Sequence, residues 1–380
     1  MEIDRWWFAA LQDLGGCRDL LLSSKINLLL FCLPFGWASH LAHWPDTATF
    51  TLNLVTLIPL AWLLGLITED LGLRLGPVAG GLLNATFGNC PELILSLIAL
   101  MRDLHVIAIS SLYGSILSNL LLVLGCWFFF GSIRLGKDQQ LTYKIQLAST
   151  LTIVMLVATV VLAMTSFIKE LYGDTFLIQD RLVFNYVTAL LLIAMYGVFL
   201  VYSLWTHTSE CAVEEDATPT LSIFSALAAL MAITVLVTVS SEFLVGAIKG
   251  LVANTNLSQP LVGLILLPIA SNAVDHMSAV ILAARSKTDL ALGCSLGSAV
   301  QVATLVVPIL VLAGWAASKP VTVEVDVSLA LYLTFAAILV CQLTHLGRSD
   351  WLQGLLLLGV YAQFIAFVAL LPRSAFKLLS

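Results

Sequence analysis

Charge is what this chain of 380 residues has least of: 11% of its residues are charged, against 60% hydrophobic. The mean hydropathy is +1.01. A soluble domain carries about 25% charged residues, so a soluble globular fold is excluded. No basic cluster is present and the net charge of −6 sits in short loops, which excludes a nucleic-acid partner. The seven cysteines are scattered, with neither a C-x-x-C pair nor metal-finger spacing, and they read as small buried apolar side chains. The first 24 residues hold charges at both ends and no clean apolar stretch, so no cleavable signal peptide is expected. The strict polar/apolar alternation of a membrane barrel is missing as well.

What the chain does have is a series of apolar runs of 18 residues or more, each long enough to cross the hydrocarbon core as a helix. The expected spans are 25–43, 47–68, 75–101, 106–131, 143–167, 183–205, 220–247, 256–285, 289–315, 327–346 and 350–371. The fold class is therefore an all-α polytopic membrane protein with about eleven transmembrane helices. Residues 1–24 precede them. Within this segment Trp6, Trp7, Phe8, Leu11 and Leu14 alternate with Arg5, Asp13, Arg18 and Asp19, the pattern of an amphipathic helix lying in the membrane interface.

Two stretches share one polar pattern at an offset of 183 residues. The first carries Asn89 and Glu92, the second Asn272 and Asp275. The same offset pairs Gly80 with Gly263, Gly114 with Gly297, Ser115 with Ser298, and Ser118 with Gln301. Extended outward, it divides the chain into an extra helix at 25–43, a first five-helix repeat at 44–205, an acidic linker at 206–219 and a second five-helix repeat at 220–380. An odd number of helices per repeat forces opposite orientations, so the repeat is inverted. The linker holds Glu210, Glu214, Glu215 and Asp216 and reads as solvated, with cation attraction as its alternative role. With the N-terminus inside, ten Lys/Arg fall on the inner side and seven on the outer, which favours N-in.

A carboxylate inside a membrane helix costs roughly 2.5–3.5 kcal/mol on insertion scales, so two at equivalent positions of a repeat point to one intramembrane cation site. Asn89 and Glu92 are three apart and share a helix face, as do Asn272 and Asp275. Gly88 and Pro91 loosen the helix beside Glu92, and the membrane tolerates opened backbone only where it lines a cavity or meets a ligand. Carboxylates, amide oxygens and freed carbonyls form the ligand set of a hard divalent cation such as Ca²⁺. Neighbouring helices add Ser115, Ser118 and Asn119 on one, Ser298 and Gln301 on the other. Taken singly, such residues merely bond helix to helix, but repetition beside a carboxylate favours a site lining. Glu69 and Glu242 lie in or near spans, and Glu242 is the deeper. His276 follows Asp275; it reads either as a packing residue or as a participant in a proton-linked process.

These motifs resemble those of the cation/proton exchangers, the Ca²⁺/H⁺ antiporter family of the Ca²⁺/cation antiporter superfamily. The matching pieces are Thr-Glu-Asp-Leu (68–71), Gly-Pro-Val-Ala-Gly-Gly-Leu-Leu-Asn-Ala-Thr-Phe-Gly-Asn-Cys-Pro-Glu-Leu-Ile (76–94), Gly-Ser-Ile-Leu-Ser-Asn-Leu-Leu-Leu-Val-Leu-Gly (114–125), Ser-Glu-Phe-Leu-Val-Gly (241–246), Leu-Leu-Pro-Ile-Ala-Ser-Asn-Ala-Val-Asp-His (266–276) and Asp-Leu-Ala-Leu-Gly-Cys-Ser-Leu-Gly-Ser-Ala-Val-Gln (289–301). The resemblance covers nearly the whole chain. It implies that Glu92 and Asp275 bind the transported cation, with polar support from Asn89, Asn272, Ser115, Ser118, Ser298 and Gln301. It also implies a part for Glu69 and Glu242 in the access paths. Two positions depart from the family's second motif, Gly-Asn-x-x-Glu-His. Ser271 replaces its Gly, and Asp275 replaces its Glu with a carboxylate set back by about 1.5 Å, one carbon–carbon bond.

The expected function is secondary transport, exchanging Ca²⁺ for protons by alternating access, with Ca²⁺ as substrate and no cofactor. Its partners are Ca²⁺, H⁺ and the lipid bilayer, and a homo-oligomer is compatible with the chain. Its place is a membrane crossed many times, with a bacterial cytoplasmic membrane favoured over a vacuolar or other organelle membrane. The nearest alternative is an exchanger of the same superfamily driven by Na⁺ or K⁺. A membrane-embedded metal-dependent enzyme is the second, but no Gly-x-Gly-Asp, His-Glu-x-x-His or Asp-rich loop is present. A channel is the third.

Overall fold

The computed structural model describes residues 15–16, 18–135, 140–172, 177–207 and 218–370. In chain order its helices are α1 (Cys32–Leu41), α2 (Asp46–Leu75), α3 (Pro77–Phe87), α4 (Cys90–Met101), α5 (His105–Leu135), α6 (Ile145–Tyr172) and α7 (Ile178–Thr206). There follow α8 (Ile223–Asn254), α9 (Gln259–Ser271), α10 (Ala273–Ala284), α11 (Thr288–Ala316), α12 (Val327–Thr344) and α13 (Trp351–Leu370). Two short strands, β1 (Leu141–Thr142) and β2 (Arg348–Ser349), pair antiparallel.

Among the described residues, eight helices are long and apolar enough to cross a membrane, and α9 with α10, bent by 47°, makes nine if counted as one span. The chain is thus an all-helical, multi-pass membrane protein. The expected count of eleven includes two further segments, 25–43 and 75–101. The first is a 3-10 turn, Lys25–Phe31, followed by the ten residues of α1. Pro34 sits in the first turn of α1, where a residue without an N–H is tolerated only because that donor has no intrahelical partner. The second is α3 and α4, parted at Gly88–Asn89. Of the interfacial segment expected over 4–22, only residues 15, 16 and 18–22 are described, and of the linker 206–219 residues 208–217 lie outside the description.

The chain divides into two compact units, 1–95 with 214–256 and 96–213 with 257–380. In the first, α2 and α8 run antiparallel and are tied at both ends. Asp70, in the last turns of α2, accepts hydrogen bonds from the Thr220 hydroxyl (2.8 Å) and the Leu221 N–H (3.1 Å), just ahead of α8. At the other end the Asp46 carboxylate lies directly against Gly250, and a Cβ there would force it aside. Gly76, at φ +83°, ends α2 in a conformation that favours glycine, and Pro77 then starts α3 with its fixed φ. α3 folds back along α2 so closely that a Cβ on Gly80 would stand 2.6 Å from the Gly72 carbonyl.

In the second unit α5 is the buried centre, with Tyr113, Trp127 and Phe128 among its fully enclosed side chains. It crosses α11 antiparallel: Asn119 bonds Ser298 (3.0 Å) and, further along α5, Trp127 bonds the earlier Ser295 (3.1 Å). α6 and α12 are antiparallel too. The start of α6 follows β1, which pairs with β2 after α12, and near the far end of α6 the Ser166 hydroxyl accepts from the Val325 N–H (2.9 Å) just before α12.

The two ends of this unit are closed differently. At the end of α5 and start of α6, Tyr143, Thr288 and Asp289 knit three connections together. The Tyr143 N–H donates to Gly347 O (3.0 Å), the Thr288 hydroxyl to Thr142 O, and the Lys144 N–H to Asp289 Oδ1 (2.7 Å). At the opposite end the segment 319–326 dips into the bundle. Glu324 is buried there between the Arg181 guanidinium, the Asn185 amide (3.1 Å) and Lys169 (3.9 Å). The Tyr113 hydroxyl holds the same segment through Val323 O (2.8 Å). A carboxylate removed from water is tolerated only when paired and hydrogen-bonded in this way.

Candidate cation site

The polar residues singled out by sequence collect at two interruptions of apolar helix. Every backbone group in lipid must be satisfied within the protein, so a break in a membrane helix marks a cavity or a ligand. In the second unit the break falls at Asn272, whose φ of −87° and ψ of 7° end α9 and start α10. Pro268 lies in the last turn of α9, where it removes a donor. Asp275 and His276 then occupy the first turn of α10, where aligned peptide dipoles favour an ionised carboxylate by roughly 0.3–1 kcal/mol.

Three contacts fasten this turn to α5 and α11. The Ser115 hydroxyl donates to Asn272 Oδ1 (3.1 Å), and the Asn272 amide donates back to the Ser115 carbonyl (3.2 Å), so the asparagine is gripped at both ends. The Ser118 hydroxyl and His276 Nε2 lie 3.1 Å apart. The Ser298 hydroxyl donates to Asp275 Oδ2 (3.1 Å) and accepts from Asn119 Nδ2 (3.0 Å). Asn119, Ser298 and Asp275 thus form one hydrogen-bonded string. Asn119 is fully buried and its Oδ1 has no hydrogen-bond partner, a cost of about 1–3 kcal/mol unless something electropositive fills the gap.

Both α5 and α11 carry a wide turn of π type beside these residues, at Ser118–Val123 and at Val302–Val306. Such turns leave one carbonyl per turn out of the regular ladder, and they recur at functional sites. Gln301 stands just before the second of them, half-buried, three residues after Ser298.

In the first unit the matching break is Gly88–Asn89. Gly88 N bonds Asn84 O (2.7 Å), ending α3, and Leu93 N bonds Asn89 O (3.1 Å), opening α4. Glu92 lies in the first turn of α4, behind Pro91, and both Asn89 and Glu92 are buried. The two acids expected to serve the access paths, both in this unit, differ in placement. Glu69 is exposed near the end of α2, while Glu242 is half-buried on α8. The two residues around Glu242 are held by α1. Trp37 Nε1 donates to the Ser240 hydroxyl (3.1 Å), and the His40 ring stacks on Phe243 at 4.1 Å. Of the expected site residues, Ser115, Ser118, Asn272, Asp275, His276 and Ser298 are thus joined by named contacts within one unit. Asn89 and Glu92 form the other group. Sequence spacing gave no counterpart for Asn119, because the residue 183 further on is Val302.

The profile of the sodium/calcium exchanger protein family matches residues 45–205 and 225–370. The chain belongs to that family, and its motifs place it with the cation/proton exchangers of the Ca²⁺/cation antiporter superfamily. It is 36% identical over 358 residues to a vacuolar calcium ion transporter of Schizosaccharomyces pombe, covering 93% of this chain and 86% of that protein. It is 34% identical over 359 residues to a Ca²⁺/H⁺ antiporter of Synechocystis, covering 88% and 94%. Among solved structures, native YfkE superposes with a TM-score of 0.78 at 30% identity, over 91% of this chain and 100% of that one. The H⁺/Ca²⁺ exchanger CAX shares the fold at a TM-score of 0.72 and 13% identity, over 93% and 91%.

Proposed function

We propose that the protein is a secondary active transporter that exchanges Ca²⁺ for protons across a membrane by alternating access. The observation that carries this reading is the pair of broken apolar segments, each with an asparagine at the break and a carboxylate three residues later. Glu92 and Asp275 are the cation-binding acids. Asn89, Asn272, Ser115, Ser118, Ser298 and Gln301 complete the polar lining, and the unpartnered Asn119 Oδ1 joins them. Ca²⁺ accepts six to eight oxygen ligands in varied geometry, which suits so mixed a set. Protons and Ca²⁺ compete for the same carboxylate oxygens, and that competition couples the two fluxes. Glu242, half-buried on a helix buttressed by α1, serves the access path, with Glu69 at the membrane surface and His276 beside the acid.

The architecture we infer is two inverted five-helix repeats after one extra helix. Its support is the antiparallel course of α2 against α8, α5 against α11 and α6 against α12, three pairs that the offset of 183 relates. α4 and α10 coincide under that offset at both ends, Cys90–Met101 against Ala273–Ala284. The sodium/calcium exchanger profile keeps one rival reading alive, coupling to Na⁺. Purified protein in sealed liposomes decides between them. Ca²⁺ uptake under an imposed pH gradient, abolished when the gradient is dissipated, supports proton exchange. Uptake that persists without a pH gradient but requires Na⁺ rejects it.

A further inference from the structure

The two ends of the second unit treat their basic residues in opposite ways. At the end closed by segment 319–326, Arg181 and Lys169 meet Glu324 and Lys319 meets Asp103 at 2.6 Å, so these bases are paired with acids of the protein. At the end closed by the β1–β2 ribbon, Arg134, Lys144, Arg285, Lys287 and Arg348 are all exposed. Among the described residues, no ion pair joins Arg134, Arg285, Lys287 or Arg348 to an acid. The acids at this end are occupied with backbone. Asp289 accepts from the Lys144 N–H, and Asp350 accepts from the Leu352 (3.0 Å) and Gln353 (3.2 Å) N–H groups at the start of α13. The Tyr143 phenol adds no negative charge, since burial raises its pKa above the ordinary value.

The five bases also share one level. Arg134 is in the last turn of α5, Lys144 immediately precedes α6, Arg285 follows α10, Lys287 precedes α11, and Arg348 lies between α12 and α13. The ribbon, the Thr288 bond to Thr142 and the packing of Gly131 against Ala283 and Leu141 draw these helix ends together. Each charge therefore sits where an apolar span leaves the hydrocarbon, at headgroup depth.

We propose that this rim binds the headgroups of anionic phospholipids, and that it faces the cytoplasmic leaflet. Four to eight juxtamembrane bases are what a negatively charged leaflet attracts, and Arg134, Arg285, Lys287 and Arg348, which form no ion pair among the described residues, already supply four; an excess of Lys and Arg marks the cytoplasmic side. Among the described residues, five bases stand against two acids at this end, whereas the other end has five acids, Asp103, Glu170, Asp180, Glu324 and Asp326, to four bases. In that orientation α5 ends, and α6 begins, on the cytoplasmic side.

The test uses the whole protein in mixed micelles of detergent with phosphatidylcholine and phosphatidylglycerol, and measures the phosphatidylglycerol retained after washing. Each base at the surface contributes a factor on the order of five, so R285Q/K287Q should lower retention by more than about tenfold, and raised salt should do the same to the unsubstituted protein. Equal retention by the two proteins at low salt would overturn the proposal, as would a rim already neutralised by the acidic residues Glu210, Glu214, Glu215 and Asp216, recognised by E210Q/E214Q/E215Q/D216N gaining retention severalfold. A second measurement needs no charge removal. Ser286→Cys, between the two bases, should react with a membrane-impermeant maleimide in inverted vesicles and be protected in right-side-out ones, with the unsubstituted protein as blank. Labelling only from the outside sinks the assignment.

Discussion

The first turns of α4 and α10 are built on one plan and finished differently. Each follows a break that carries an asparagine, and each holds a carboxylate three residues on. Around Glu92 the neighbours are Cys90, Pro91 and Leu93; around Asp275 they are Ala273, Val274 and His276. The longer acid is buried, and a proline loosens its backbone. The shorter acid is half-buried and reaches a hydroxyl, with Ser298 donating to its Oδ2 at 3.1 Å. One methylene has been lost at 275, yet the carboxylate remains part of a hydrogen-bonded string. The break itself is the shared part, and the chemistry around the acid is what each half adjusts.

If both acids are ligands, neutralising either has the largest effect. Glu92→Gln and Asp275→Asn keep size but remove charge. Losing one partner of a buried ion costs roughly 3–5 kcal/mol, so Ca²⁺ affinity should fall by more than about a hundredfold and exchange should vanish while the protein stays inserted and folded. Isothermal titration and liposome uptake measure the two. Normal exchange in one variant alone would show that only one of the two turns binds.

Acidification comes next. The carboxylates must be ionised to hold Ca²⁺, so lowering the pH on the binding side favours the protonated form and weakens apparent affinity, by up to about tenfold per unit for each proton displaced. Raising the pH restores it. The dependence should be shallower in Asp275→Asn, which has one fewer site for a proton, and an unaltered slope would assign the titration to another group.

Much of this was legible in the residues, and the remainder has identifiable causes. The apolar runs announce the spans because nothing but a helix satisfies its backbone in lipid. Gly88 and Pro91 announce the first break; the second, at Asn272 after Pro268, is not announced, because Ser271 stands where a glycine would have marked it. The run 25–43 looked continuous because composition is blind to a change from 3-10 to α winding at Cys32. The π-type turns after Ser118 and Gln301 escaped for the same reason, since the extra residue per turn changes register and not hydropathy. Glu324 reads as an ordinary loop acid; its partner Arg181 lies 143 residues earlier, beyond the reach of any local pattern. Asp70 was hidden beside Glu69, and only the folded chain separates the anchored acid from the exposed one.

A smaller change sharpens the comparison directly. Asp275→Glu makes the second turn resemble the first and restores the reach of the family's usual residue. It should tighten Ca²⁺ binding or shift the Ca²⁺/Mn²⁺ preference by about 1 kcal/mol, roughly fivefold, the size of one altered charge-assisted contact. Unchanged affinity and selectivity would mean that the Ser298 hydroxyl already makes up for the missing methylene.

The smallest effect is expected at His276. Its counterpart at the offset of 183 is Leu93, so one half works without an imidazole after its acid. In the other half His276 faces the Ser118 hydroxyl at 3.1 Å and links α10 to α5. A single polar link between membrane helices averages about 0.6 kcal/mol, so His276→Leu should slow exchange about threefold, and Ser118→Ala should do the same. The double variant should be no slower than either single one, because both remove one bond. Exchange lost in His276→Leu but kept in Ser118→Ala, with the protein still folded, would break the symmetry between the two turns. The imidazole would then move protons rather than hold helices, and the second turn would carry the coupling step that the first lacks.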